Sequence, residues 1–172
     1  MPPPFRPTPS RAALAVLAAS AAILGSALFA QYVGGLRPCE LCHWQRYPYM
    51  VNIALAILAL LLARNAAAAR YDGALIGLAG LVFLVGAGIA VFHIGVEQHW
   101  WQGTSACGQT IGNVQTIDDL RRALLAQPVV RCDQVTWSFL GLSLAGYNFL
   151  LSAALGTFTL AAAFRLSKDA RP

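Results

Sequence analysis

Four long stretches of this chain carry no Asp, Glu, Lys or Arg: residues 12–36, 47–63, 73–96 and 134–164. A helix needs about 20 apolar residues to cross about 30 Å of hydrocarbon. The first, third and fourth stretches are long enough. The second becomes so from residue 44, if Arg46 lifts its guanidinium to the interface. Backbone polar groups find no water in lipid, so the crossing segments are helical. The chain is therefore expected to be an all-α membrane protein, an antiparallel four-helix transmembrane bundle forming one integral domain over residues 1–172. Its helices are expected at about 12–33, 44–63, 73–96 and 137–164, with outer loops at about 34–43 and 97–136. Composition agrees: 58% of the residues are apolar and 11% charged, against roughly 25% charged in a soluble domain. A soluble globule and a disordered chain are both excluded. The pI of 9.4 comes without a basic run, so membrane lipid and no nucleic acid is the expected surrounding.

The positive charge reads as topology. Arg6, Arg11, Arg64, Arg70, Arg165, Lys168 and Arg171 fall in the tails and the middle loop. Arg37, Arg46, Arg121, Arg122 and Arg131 spread over the other two loops. The excess of basic residues marks the cytoplasmic face, which places both termini inside. The first stretch is too long for a signal peptide's apolar region of about 7–15 residues, so a retained helix is expected.

All four cysteines then lie on the outer side: Cys39 and Cys42 in the first outer loop, Cys107 and Cys132 in the second. The outer face of a bacterial inner membrane is oxidising, so disulfides are the first inference, with the pairing open. Four structural staples are one reading. Against it, a bridge between Cys39 and Cys42 closes a tiny ring and stabilises little. Close Cys-x-x-Cys pairs are more often redox-active or metal-binding. Zinc favours a second close pair, which the separated Cys107 and Cys132 do not provide, and no metal is assigned. Cys42 is expected at the start of the second helix, where backbone N–H groups favour a thiolate. Arg46, four residues on, is either a partner for that thiolate and a polar ligand head, or a cation snorkelling to phospholipid. Cys39-Glu40-Leu41-Cys42-His43 also matches the c-type haem attachment pattern. The axial ligand opposite His43 would come from His93, His99 or Met50. That reading leaves little room for a haem before the membrane and no role for Cys107 and Cys132.

Thr116-Ile117-Asp118-Asp119 opens like a capped helix, with Ile117, Leu120 and Leu124 on one face and Gln127-Pro128 ending it. A short helix on the membrane surface is expected, tethering the second outer loop. The alternative is a solvated loop helix. Gly73, Gly77, Gly80, Gly86 and Gly88 suggest close packing of the third helix. His93 and Glu97, four apart, face together near its outer end; they either orient a polar ligand or form an interfacial pair. Tyr47, Tyr49, His99, Trp100 and Trp101 fit an interfacial aromatic belt. Asn52 and Asn148 are expected to bond between helices.

Taken together, Pro38-Cys39-Glu40-Leu41-Cys42, Arg46, Gly95-Val96-Glu97, Ala106-Cys107, Cys132-Asp133, Trp137 and Phe139-Leu140-Gly141-Leu142-Ser143 resemble the disulfide bond formation protein B (DsbB) family. The resemblance runs from about residue 12 to 164. It implies a quinone-linked thiol oxidase of the bacterial inner membrane that reoxidises a periplasmic thioredoxin-fold oxidase of the DsbA type. By position it implies that the partner's thiolate attacks Cys107 and that Cys132 is released toward Cys39. Cys42 is then left as a thiolate against ubiquinone or menaquinone, with Arg46 near a quinone oxygen. The potential of DsbA, about −120 mV, requires an acceptor above it, and each further 30 mV adds about 1.4 kcal/mol.

Overall fold

In a computed structural model, residues 8–65, 71–107, 116–125 and 130–169 are described. The Ala-rich residues 66–69, the arginines at 6, 70 and 171, and the Gln127-Pro128 stop lie outside them. Among these residues six α-helices follow one another: α1 (Pro9–Tyr32), α2 (Glu40–Trp44), α3 (Tyr47–Leu62), α4 (Asp72–Glu97), α5 (Ile117–Leu125) and α6 (Leu144–Asp169). Four spans are long and apolar enough to cross a membrane, with α2 and α3 together forming the second. The architecture is an all-α membrane bundle.

Local chemistry sets the helix ends. Thr8 caps α1 by accepting from the Arg11 N–H, and Pro9 takes the first-turn position where no N–H is required. The second span is interrupted at Gln45–Arg46. Pro48 has no N–H to offer the Trp44 carbonyl, so the helix restarts with Pro48 in the first turn of α3. The fourth helix starts at Leu144 rather than near 137. Ser138–Phe139 pairs antiparallel with Leu142–Ser143 across a two-residue turn. Leu140 (φ 50°) and Gly141 (φ 80°) both occupy left-handed backbone there, as a tight hairpin requires. The Ser143 hydroxyl then accepts the Gly146 N–H at the opening of α6.

The packing is typical of lipid surroundings: small residues face inward and large apolar ones outward. Val16, Tyr49, Ala56, Ala79 and Phe83 form the middle of the core. Ala13, Ala59, Ile76 and Ala163 form the end away from the cysteines. Leu61, Leu81, Val85, Phe158 and Phe164 lie on the outside. Without water to drive helices together, close approach through small side chains holds them. A Cβ on Gly156 would lie 3.1 Å from the Gly80 carbonyl, and one on Gly80 would lie 2.8 Å from Leu160 Cγ. Gly77 and Gly86 also face neighbours, whereas Gly73 and Gly88 meet no described atom within 4 Å. Tyr49 is not part of the aromatic belt: it is buried against Phe83, because it faces α6 and not lipid. Asn148 bonds between helices as expected, while Asn52 is buried with no partner among the described residues.

Gly80→Val should therefore lower the stability of the detergent-solubilised protein by about 1–3 kcal/mol, the usual cost of overpacking. Gly88→Val should leave it nearly unchanged. Thermal melts followed by circular dichroism check both.

Candidate functional site

Cys39, Leu41, Val96, Cys107 and Cys132 form one buried cluster, with Cys42 and Val130 packed against it. Sequence separation hides this, since three segments bring the sulphurs in. The first is the α2 turn. Cys39 stands at its N-cap, and its sulphur accepts the Cys42 N–H at 3.4 Å. The second is a 3₁₀ turn, Ser105–Cys107, folded back on the last turn of α4. The third is the segment around Cys132, whose N–H donates to the Cys107 carbonyl at 3.2 Å.

Cys107 and Cys132 are joined by a disulfide, and Cys39 and Cys42 are free thiols with sulphurs 2.9 Å apart. The hydrogen bond to Cys42, aided by burial, holds the Cys39 thiol well above the ordinary cysteine range. One thiol donates to the other across this contact. Cys42 is the only one of the four that is not buried.

Attack on Cys107 by a partner, as the resemblance implies, calls for an accessible sulphur. Instead Cys107 is 1% exposed and Cys132 0%. Trp101 causes this. Its indole stacks on Phe92, donates to the Phe92 carbonyl at 2.9 Å and lies where a Cβ on Gly95 would be 2.0 Å from the ring. His99 takes a left-handed φ of 59° to reverse the chain. Only glycine at 95 admits the indole, and the reversed chain lays Cys107 against Val96. Beside Cys132, Arg131 and Asp133 form a two-pronged ion pair at 2.9 and 2.5 Å. The guanidinium holds the Asp133 carboxyl below the usual carboxylate range.

His93 and Glu97 are brought to the thiols. His93 Nε2 lies 3.6 Å from Cys39 Sγ and 3.8 Å from Glu97 Oε1. Glu97 Oε2 accepts the Ser143 hydroxyl at 2.6 Å. Arg46 makes no bond to Cys42; its guanidinium donates to Gln31 Oε1 at 2.6 Å, which pins it between α1 and α3. Gln45 was not anticipated as a site residue. Its side chain is buried, and its amide nitrogen lies 2.7 Å from His93 Nδ1. A polar residue three after Cys42, flanking a helix break, is the only trace of this in the sequence.

The haem reading finds no support: His43 is exposed, and the imidazole that meets the thiols is His93. Cys39, Cys42 and His93 have ligand atoms within 4.8 Å of one another, one short of a tetrahedral set. The cavity between the thiols, His93, Glu97, Arg131 and Trp137 measures about 20 Å³, room for little more than a water. A flat ring would not enter it. A quinone fits the donor set only from the open side, where Cys42 is accessible.

The family model for disulfide bond formation protein DsbB matches residues 9–162. A disulfide bond formation protein B of Polaromonas sp. is 32% identical, covering 96% of each chain. Those of Verminephrobacter eiseniae (34%, 95% of this chain and 91% of the relative) and Methylococcus capsulatus (33%, 81% and 85%) are similar. No solved structure matches the chain. The chain belongs to the DsbB family.

Gly95→Ala should push the indole off α4 and loosen the 98–107 turn that carries the buried Cys107–Cys132 disulfide. Its reduction by a small phosphine, timed by alkylation and mass spectrometry, should accelerate on the order of tenfold, equivalent to about 1.4 kcal/mol.

Proposed function

We propose that this protein is a membrane thiol oxidase that reoxidises a periplasmic DsbA-type dithiol oxidase and passes the electrons to membrane quinone. The observation that carries the reading is the gathering of a disulfide and a dithiol in one cluster, with Cys42 alone accessible. Membership of the DsbB family supports it. The protein is read as a multi-pass protein of the bacterial inner membrane, with both termini cytoplasmic and the cysteines periplasmic. Ubiquinone and menaquinone both suit the site.

The partner's thiolate attacks Cys107; a mixed disulfide forms and Cys132 leaves as a thiolate. With Cys39 and Cys42 oxidised, the Cys132 thiolate attacks Cys39, forming a Cys39–Cys132 bond and releasing Cys42 as a thiolate. The partner's second thiolate attacks its own sulphur in the mixed disulfide, which leaves the partner oxidised and frees Cys107. The Cys107 thiolate then attacks Cys132, remaking Cys107–Cys132 and returning Cys39 reduced beside Cys42. The result is the arrangement described above, one disulfide and one dithiol. A bound quinone supplies the acceptor for the two electrons and two protons that leave this pair as the Cys39–Cys42 bond forms. Arg46, pinned by Gln31, offers a fixed cation to a polar ligand head. His93 and Glu97 are assigned to the same site. Since Cys107 is buried, partner attack requires the 98–107 turn to lift.

Helix α5 is read as a surface tether. Thr116 caps it, accepting the Asp119 N–H at 3.1 Å and donating to the Asp119 carboxylate at 2.6 Å. Ile117 and Leu125 expose their side chains almost fully, as insertion among lipid headgroups would use.

Purified protein, quinone and reduced DsbA-type partner should together show catalytic loss of quinone absorbance. Cys42→Ala and Cys107→Ala should abolish it, and Arg46→Gln should raise KM for quinone. No reduction with either quinone type would overturn the reading. Ile117→Asp should slow turnover several-fold, and unchanged quinone reduction would remove the tether.

A further inference from the structure

Beneath the thiols, a single hydrogen-bonded chain crosses α2, α3, α4 and α6. His93 Nδ1 lies 2.7 Å from Gln45 Nε2. Gln45 Oε1 accepts from the Asn148 amide. Asn148 Oδ1 accepts the Tyr49 hydroxyl. The Tyr49 hydroxyl lies 2.7 Å from Ser152 Oγ, and Ser152 lies 3.4 Å from Asn148 Oδ1. His93, Gln45, Tyr49 and Ser152 are all buried.

The direction of the chain follows from counting protons. An amide nitrogen only donates and an amide oxygen only accepts. With Asn148 Oδ1 facing the two hydroxyls, Tyr49 donates to Oδ1 and Ser152 donates to the Tyr49 oxygen, so each hydroxyl proton has an acceptor. With the amide reversed, its NH₂ occupies the Tyr49 oxygen, Tyr49 turns its proton to Ser152, and the Ser152 proton loses both of these acceptors. Buried polar groups avoid that arrangement. The favoured orientation turns the Asn148 NH₂ toward Gln45 Oε1. Gln45 must then point its own NH₂ at His93 Nδ1, which becomes an acceptor. In a neutral imidazole the remaining nitrogen carries the proton, and the bond made by one ring nitrogen decides the state of the other.

We propose that Gln45, held by Asn148, Tyr49 and Ser152, is a positioning residue that locks His93 as the tautomer with its proton on Nε2, aimed at the Cys39 sulphur. An Nε2–H cannot take a proton from Cys39. His93 is therefore not the base of the dithiol; its Nε2–H, which Glu97 Oε1 at 3.8 Å and the Cys132 backbone also adjoin, supports negative charge on Cys39 whenever that sulphur is a thiolate. The catalytic consequence rests on the thiol-oxidase reading, while the tautomer does not.

The test uses the full-length protein in detergent, labelled with ¹⁵N-histidine and with Cys39 and Cys42 reduced. The His93 signals are assigned by their loss in His93→Gln. Wild type should show a protonated Nε2 and an unprotonated Nδ1. Asn148→Asp is nearly isosteric and distant from the imidazole, yet its carboxylate has no proton to give Gln45. It should turn the Gln45 amide over and move the proton to Nδ1. Gln45→Glu should do the same directly, and it carries the test alone if Asn148→Asp does not fold. Both variants should slow quinone reduction by on the order of 10- to 100-fold, the worth of one hydrogen bond to a charged group. A fold perturbation without a tautomer change would not match this pattern. A protonated Nδ1 in wild type, or an unmoved Nε2 proton in Gln45→Glu, overturns the proposal. Full quinone turnover in a variant whose tautomer has switched overturns the catalytic role. Wild type that shows the expected tautomer but reduces no quinone overturns the thiol-oxidase reading instead, and the positioning by Gln45 stands.

Discussion

The close approach of α4 to α6 is the contact on which the rest of the molecule depends. Two glycines, Gly80 and Gly156, bring one backbone nearly onto the other at mid-bundle. Lipid offers no competing hydrogen-bond partners, and helices in it associate by close packing. Once that register is set, positions toward the cysteine end follow from it. Glu97 meets Ser143, and His93 comes level with Asn148 through Gln45. The thiol pair then docks onto a surface that α4 and α6 have already shaped.

The charge-free stretches foretold the bundle because lipid makes the same demand of every crossing segment. The four cysteines stood out for a similar reason: their even division between two loops is visible before any neighbour is known. What escaped was whatever depends on neighbours. Tyr49 has the same aromatic character as Tyr47, and only the fold puts one inside and the other out. Gln45 looked like a helix-edge polar residue until the break before Pro48 turned it inward. The hairpin at 138–143 was absorbed into a helix because its residues are apolar; Gly141 was the one hint that the backbone reverses. Asn52 shows the opposite failure, since an intramembrane amide was expected to find a partner and has none among the described residues.

Burial of Cys107 and Cys132 changes how the second loop is understood. A buried disulfide is protected from thiols at large. On the proposed function, selectivity then lies in which partner can open the turn, and not in the sulphur itself. The glycine at 95 is as much part of that arrangement as the cysteines, because any side chain there would occupy the place of the Trp101 ring.

Cys39 also holds the end of α2. Its sulphur is the acceptor for the Cys42 N–H, in the place where serine or aspartate usually caps a helix. A five-residue helix has little stability of its own. On the proposed cycle, when the Cys39 sulphur turns toward a different cysteine, that acceptor goes with it and the turn carrying Cys42 is free to unwind. Bond exchange at one sulphur would thereby be geared to the backbone that aims the other, and the electron count of the pair would also be a mechanical setting of the α2 turn.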